Sequence, residues 1–210
     1  MRQWNAAAGP LATKALIAVN VVVFVLTSAD GKLQTQLSLF GPAVASGDWY
    51  RLVTSGFVHY GLLHIGFNML LLYQLGLLLE PPLGRVRFLL LYIAALLAGS
   101  FGAVLLSPHV LSAGASGAVF GLFGAAAVGL RQRGVRVMQT GVGALLVINL
   151  ILTFAIPGIS IGAHLGGLIG GAVAGWFMLH PVRRAKVEGV AVAVVVIAAS
   201  MIGALWAAAR

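Results

Sequence analysis

Long apolar runs separated by short polar turns fill almost the whole chain. At about 20 residues per bilayer crossing, they read as seven crossings, near Thr13–Thr27, Leu62–Leu79, Arg87–Leu106, Ser116–Leu130, Val137–Ile156, Ile161–Leu179 and Val190–Ala208. Proline is expected to end three of them, at Pro81-Pro82, Pro108 and Pro157-Gly158. The first run is short, but Asn20 interrupts it and no clear small-x-small cleavage site follows, so it reads as a crossing and not a signal peptide. The pattern predicts an all-α integral membrane protein, a polytopic bundle.

Composition sharpens this picture. Of 210 residues, 60% are hydrophobic and 8% charged, against about 25% charged in soluble domains. Cys is absent, which excludes disulfides, thiolate chemistry and Cys-based metal sites. The formal net charge is +9, but the basic residues sit in short turns and form no continuous face, which argues against a nucleic-acid partner. With the N-terminus in the cytoplasm, Arg2, Lys14, Arg85, Arg87, Arg131, Arg133, Arg136, Arg183, Arg184 and Lys186 all fall inside. Only Lys32, Arg51 and Arg210 fall outside, and that asymmetry sets the expected orientation. The basic turns would also touch anionic lipid. The longest non-spanning stretch, residues 28–61, then lies on the outer side. It mixes turn formers with Leu37, Phe40, Trp49, Tyr50 and Phe57, and is expected to be a folded loop.

Polar side chains are costly in hydrocarbon and mark function there. Ser116 opens the fourth crossing, His164 lies near the start of the sixth, and His64 and Asn68 near the start of the second. These three crossings share one direction, so all four groups fall within a turn or two of the outer boundary. Ser needs a base to become a nucleophile, and His is the usual one. The four acids, Asp30, Asp48, Glu80 and Glu188, sit in loops or at helix ends, so a Ser116–His164 dyad is expected in place of a triad, with the imidazole oriented by packing. Gly117, Gly121 and Gly124 make a stripe on one crossing, and Gly167 and Gly171 share a face with His164. Such small residues let helices approach closely in lipid. The Ser116 amide at a helix start, with His64 and Asn68 on one helix face, offers donors for an oxyanion.

Together these residues resemble the rhomboid family of intramembrane serine proteases. The motifs are Gly114-Ala115-Ser116-Gly117, His64-Ile65-Gly66-Phe67-Asn68, and His164-Leu165-Gly166-Gly167 followed by Gly171. Trp49 and Arg51 ahead of Phe57-Val58-His59 resemble the family's first loop. The resemblance implies a six-helix catalytic core (residues 1–185, outer loop 28–61) and an additional helix at 186–210. It implies Ser116 as nucleophile, His164 as general base, and the Ser116 amide, His64 and Asn68 as oxyanion hole. Gly114 would shape that hole, Phe120 would stack on the histidine, and His59 would stabilise the loop. Gly117, Gly167, Gly171, Trp49 and Arg51 would be structural. The implied partners are transmembrane protein substrates and the lipid bilayer, with neither metal nor cofactor. The expected location is a bacterial inner (plasma) membrane, with the site toward the outer face. Two rivals remain at this level, an inactive rhomboid-like scaffold and a small transporter. Oligomeric state does not follow from the pattern.

Overall fold

The computed structural model describes residues 9–180 and 183–210, so Arg2 lies outside the described residues. Ten α-helices occur in them. The long ones are α1 (Leu11–Ala29), α5 (Leu62–Leu83), α6 (Arg85–Leu106), α7 (Ser116–Arg131), α8 (Gly141–Ala155), α9 (Ile161–Met178) and α10 (Arg183–Ala208). Short helices α2 (Gly31–Leu37), α3 (Gly41–Ala45) and α4 (Arg51–Thr54) fold the outer loop. All seven expected runs are therefore helical. Five are long and apolar enough to cross a membrane, while α7 and α8 are shorter apolar helices. The protein is an all-α integral membrane protein.

One expected boundary moves. Pro81 and Pro82 do not end the second crossing, since both lie inside α5. Proline removes a donor but keeps a helical φ, and the terminator is Gly84, at φ 77°, whose N–H closes the last turn on Glu80 O at 2.8 Å.

The short helix α7 is the centre of the bundle. Every residue from Gly117 to Ala126 is buried. At 16 residues it is about 24 Å long, less than a hydrocarbon core of about 30 Å. Glycine brings α6, α7 and α9 together. A Cβ on Gly167 would strike the Gly117 carbonyl oxygen, and one on Gly171 the Gly121 carbonyl oxygen. A Cβ on Gly99 would lie 2.9 Å from Ala163 O, and one on Gly166 would strike Ala98 O. Such backbone contact replaces the hydrophobic driving force that lipid does not supply. By contrast, α8 buries only Gly143 and Thr153.

The outer loop is ordered by its polar groups. Asp30 caps α2, accepting from the Lys32 and Leu33 amides. Arg51 donates to Asp48 at 2.9 Å and to the Thr35 and Ser38 carbonyls at 2.8 and 3.0 Å. A two-residue antiparallel bridge, Leu39 with Ser112, ties this loop to the turn before α7.

Candidate active site

The turn that feeds α7 is pinned from both sides. The Gly114 N–H donates to Ser55 O at 2.9 Å, and the Ala115 N–H to His59 Nε2 at 3.3 Å. Gly114 has φ 131°, and a Cβ there would lie 2.7 Å from His64 Nε2, so both backbone and space demand glycine. His59 is fully buried. Its other ring nitrogen faces Phe57 O at 3.3 Å. Burial, aided by nearby His64, pushes its pKa from 6.5 down to about 4, against the pull of the Phe57 carbonyl. The ring is therefore neutral, with Nδ1 donating and Nε2 accepting. The next amide in line, that of Ser116, opens α7 and has no acceptor one turn back.

Ser116 Oγ lies 2.8 Å from His164 Nε2. Phe120 stacks on the imidazole at 4.0 Å between centroids and 17° between planes. Packing is only part of what orients the ring. Thr153 Oγ1 lies 2.7 Å from His164 Nδ1, a polar partner absent from the sequence reading. The signal for it was the spacing of Asn149 and Thr153, two polar residues four apart on one face of an otherwise apolar helix.

His64 and Asn68 face Ser116 from α5. The Tyr60 N–H points at His64 Nδ1 at 3.3 Å, which leaves the proton of a neutral ring on Nε2. Asn68 donates one amide hydrogen to His64 O at 2.9 Å and keeps a second. Ser116, His164, His64, Asn68, Gly114, Gly117 and Phe120 all line one cavity of about 580 Å³. Tyr60, Phe67, Asn149 and Ser160 line it as well.

The remaining expected residues stand outside that cavity. His59 accepts from the Ala115 N–H behind the cavity wall and makes an edge-on contact with the His64 ring at 5.0 Å. Gly167 and Gly171 hold α9 against α7. Arg51 fastens the outer loop, and Trp49 is 57% exposed on it. Among the described residues, no cluster of His, Cys, Asp and Glu is arranged to hold a metal ion.

Comparison with known proteins agrees with this architecture. Residues 46–181 match the Rhomboid domain. The chain is 38% identical over 171 residues to Rhomboid protease GluP of Bacillus subtilis, covering 77% of this chain and 34% of that protein. It is 33% identical to the Bacillus subtilis rhomboid YdcA, covering 67% of this chain and 73% of YdcA. Against RHOMBOID-like protein 4 of Arabidopsis thaliana it is 32% identical, covering 70% and 39%. The matched region thus spans little more than a third of the length of two of these three relatives. A domain match running from the outer loop through α9, over the same helices that bring Ser116, His64 and His164 into one cavity, makes this chain a member of the rhomboid family.

Proposed function

We propose that this rhomboid is an intramembrane serine endopeptidase that cuts transmembrane proteins near the outer membrane boundary. The observation that carries the reading is the 2.8 Å contact between Ser116 Oγ and His164 Nε2 at the wall of a cavity that His64 and Asn68 also line. The protease name of the Bacillus subtilis relative GluP supports it.

Ser116 Oγ attacks the scissile carbonyl carbon as His164 Nε2 takes its proton. The Ser116 N–H, His64 Nε2–H and the free Asn68 amide hydrogen surround the developing oxyanion. The intermediate collapses to an acyl-enzyme, and the leaving amine takes the proton from His164. Water, deprotonated by His164, then hydrolyses the ester and restores the Ser116 hydroxyl. The substrate segment must unwind locally, because a regular helix buries each carbonyl in its own ladder.

The basic turns favour a cytoplasmic N-terminus, and with it a site opening toward the outer face of a bacterial inner membrane. An inactive scaffold has no use for a serine and a histidine held at bonding distance. A transporter would carry polar groups at mid-bilayer on several helices, whereas these gather at one end.

The test is cleavage of a single-span reporter in proteoliposomes. The wild type is expected to cut, and to be labelled at Ser116 by a fluorophosphonate. Ser116→Ala and His164→Ala should abolish cutting while keeping the helical circular dichroism of the wild type. Most of the activity surviving in either variant overturns the dyad.

A further inference from the structure

The chemistry of a Ser–His pair depends on which imidazole nitrogen carries the proton. The base must present a bare Nε2 to the serine, so Nδ1 must hold the hydrogen. No carboxylate enforces this, since among the described residues the hydrogen-bond partner of His164 Nδ1 is the hydroxyl of Thr153, at 2.7 Å.

The direction of that contact follows from the rest of the hydroxyl's bonding. Thr153 Oγ1 lies 2.7 Å from Asn149 O, one helical turn back. A carbonyl can only accept, so the single hydroxyl proton goes there. What remains toward His164 is a lone pair, and a lone pair selects the Nδ1–H form of the ring. Back-bonding of this kind is ordinary for threonine in a membrane helix. Thr27 does the same to Val23 O at 2.8 Å. Thr153 differs because its spare lone pair meets the imidazole, and because its side chain is 2% exposed on a helix that otherwise buries only Gly143. The ring is thus held by two constraints at right angles: Phe120 fixes its plane by stacking, and Thr153 fixes its rotation and its proton.

We propose that Thr153 is a positioning residue of the dyad, which holds His164 as the Nδ1–H tautomer with Nε2 directed at Ser116. This rests on the protease reading above, and it places on α8 a hydroxyl that does the orienting part of a triad carboxylate's work without adding a charge.

The experiment compares wild type, Thr153→Val and Thr153→Ser by two independent readouts. Steady-state cleavage of the reporter is expected to give a roughly tenfold lower kcat for Thr153→Val with KM unchanged, the rate equivalent of one lost neutral hydrogen bond. Thr153→Ser, which restores the hydroxyl, should recover most of the wild-type rate. The second readout is the ¹⁵N spectrum of the His164 ring in histidine-labelled protein, assigned against His164→Asn. It is expected to show protonated Nδ1 and bare Nε2 in wild type and Thr153→Ser, and a mixture of tautomers in Thr153→Val. An unchanged kcat and ring spectrum in Thr153→Val overturns the proposal. So does an equal loss in both variants with the wild-type spectrum, which would make Thr153 a packing residue. If the wild type neither cuts nor labels, the protease reading falls, and the ring spectrum still decides the role of Thr153.

Discussion

His59 and Ala115 are joined by a hydrogen bond of 3.3 Å from the Ala115 N–H to the His59 ring, although 56 residues separate them in the chain. The outer loop thus holds the backbone that presents Ser116, through a histidine that works only while neutral. A protonated Nε2 would point a hydrogen at the Ala115 N–H and break the bond. Gln34 anchors the same loop residue from behind, donating to His59 O at 3.1 Å.

A pH dependence follows. In the unfolded chain a histidine takes up its proton near pH 6.5, whereas buried His59 resists it down to about 4. Between these values the unfolded state binds more protons than the folded state, so stability rises with pH across that window. The contribution is complete above pH 6.5 and is lost as pH falls toward 4. Thermal unfolding in detergent, followed by circular dichroism from pH 7.5 to 4, should show a falling midpoint for wild type. His59→Asn should start lower and fall less steeply. Parallel curves for the two proteins would remove His59 from the account.

Much of this was legible in the sequence, and for identifiable reasons. The runs of apolar residues are local, and all seven became helices, most within a few residues of their expected limits, the last starting at Arg183 and not at Val190. Ser116 at the start of α7 follows from the Gly114-Ala115 turn before it, and the α7–α9 contact from the two glycine stripes. What escaped were contacts whose partners are remote in the chain or belong to the backbone. Arg51 reads as a structural residue of the outer loop, but nothing local shows that it is spent on Asp48 and on the carbonyls of Thr35 and Ser38. The spacing of Asn149 and Thr153 marks a polar face on α8, but the back-bond between them does not say that the second lone pair of Thr153 faces His164. Glu80 read as a helix-end acid, with nothing local to show that it reaches across to α1.

The glycine contact beside the site gives a second prediction. A Cβ on Gly167 would run into the backbone oxygen of Gly117, the residue after Ser116. Backbone cannot rotate away as a side chain can, so α7 and α9 must separate. A displacement on the order of 1 Å between reacting groups can cost about 10²-fold in rate. Gly167→Val is expected to lower cleavage by at least that factor and to lower the unfolding midpoint. Gly66→Ala is the matched control, since a Cβ at Gly66 meets nothing. That variant should keep its stability or gain slightly, as helical Gly→Ala changes in open positions do. Equal effects at the two positions would refute the close-approach argument.

Glu80 supports the opposite end of the molecule, and its loss should separate stability from activity. The carboxyl group, 4% exposed on α5, accepts from the Ala12 N–H at 2.9 Å, the Thr13 N–H at 2.8 Å and the Thr13 hydroxyl at 2.7 Å. These amides open α1, where no preceding turn can satisfy them and the N-cap, Pro10, offers no side-chain acceptor. Glu80 is therefore a helix cap supplied by a neighbouring helix, and Gly76 leaves the room, because a Cβ there would overlap the Thr13 side chain. Glu80→Ala would strand three buried donors, at a cost of about 2–4 kcal/mol. Glu80→Gln keeps one acceptor oxygen and should fall between that variant and wild type. Because Glu80 lies 16 residues along α5 from His64, about 24 Å at helical rise, the dyad should be untouched. The expected result is a lower unfolding midpoint for Glu80→Ala, with fluorophosphonate labelling per folded molecule equal to wild type at low temperature. Wild-type thermal stability in Glu80→Ala would show that the α1–α5 clasp carries no free energy, and a loss of labelling at full stability would show that it reaches the dyad after all.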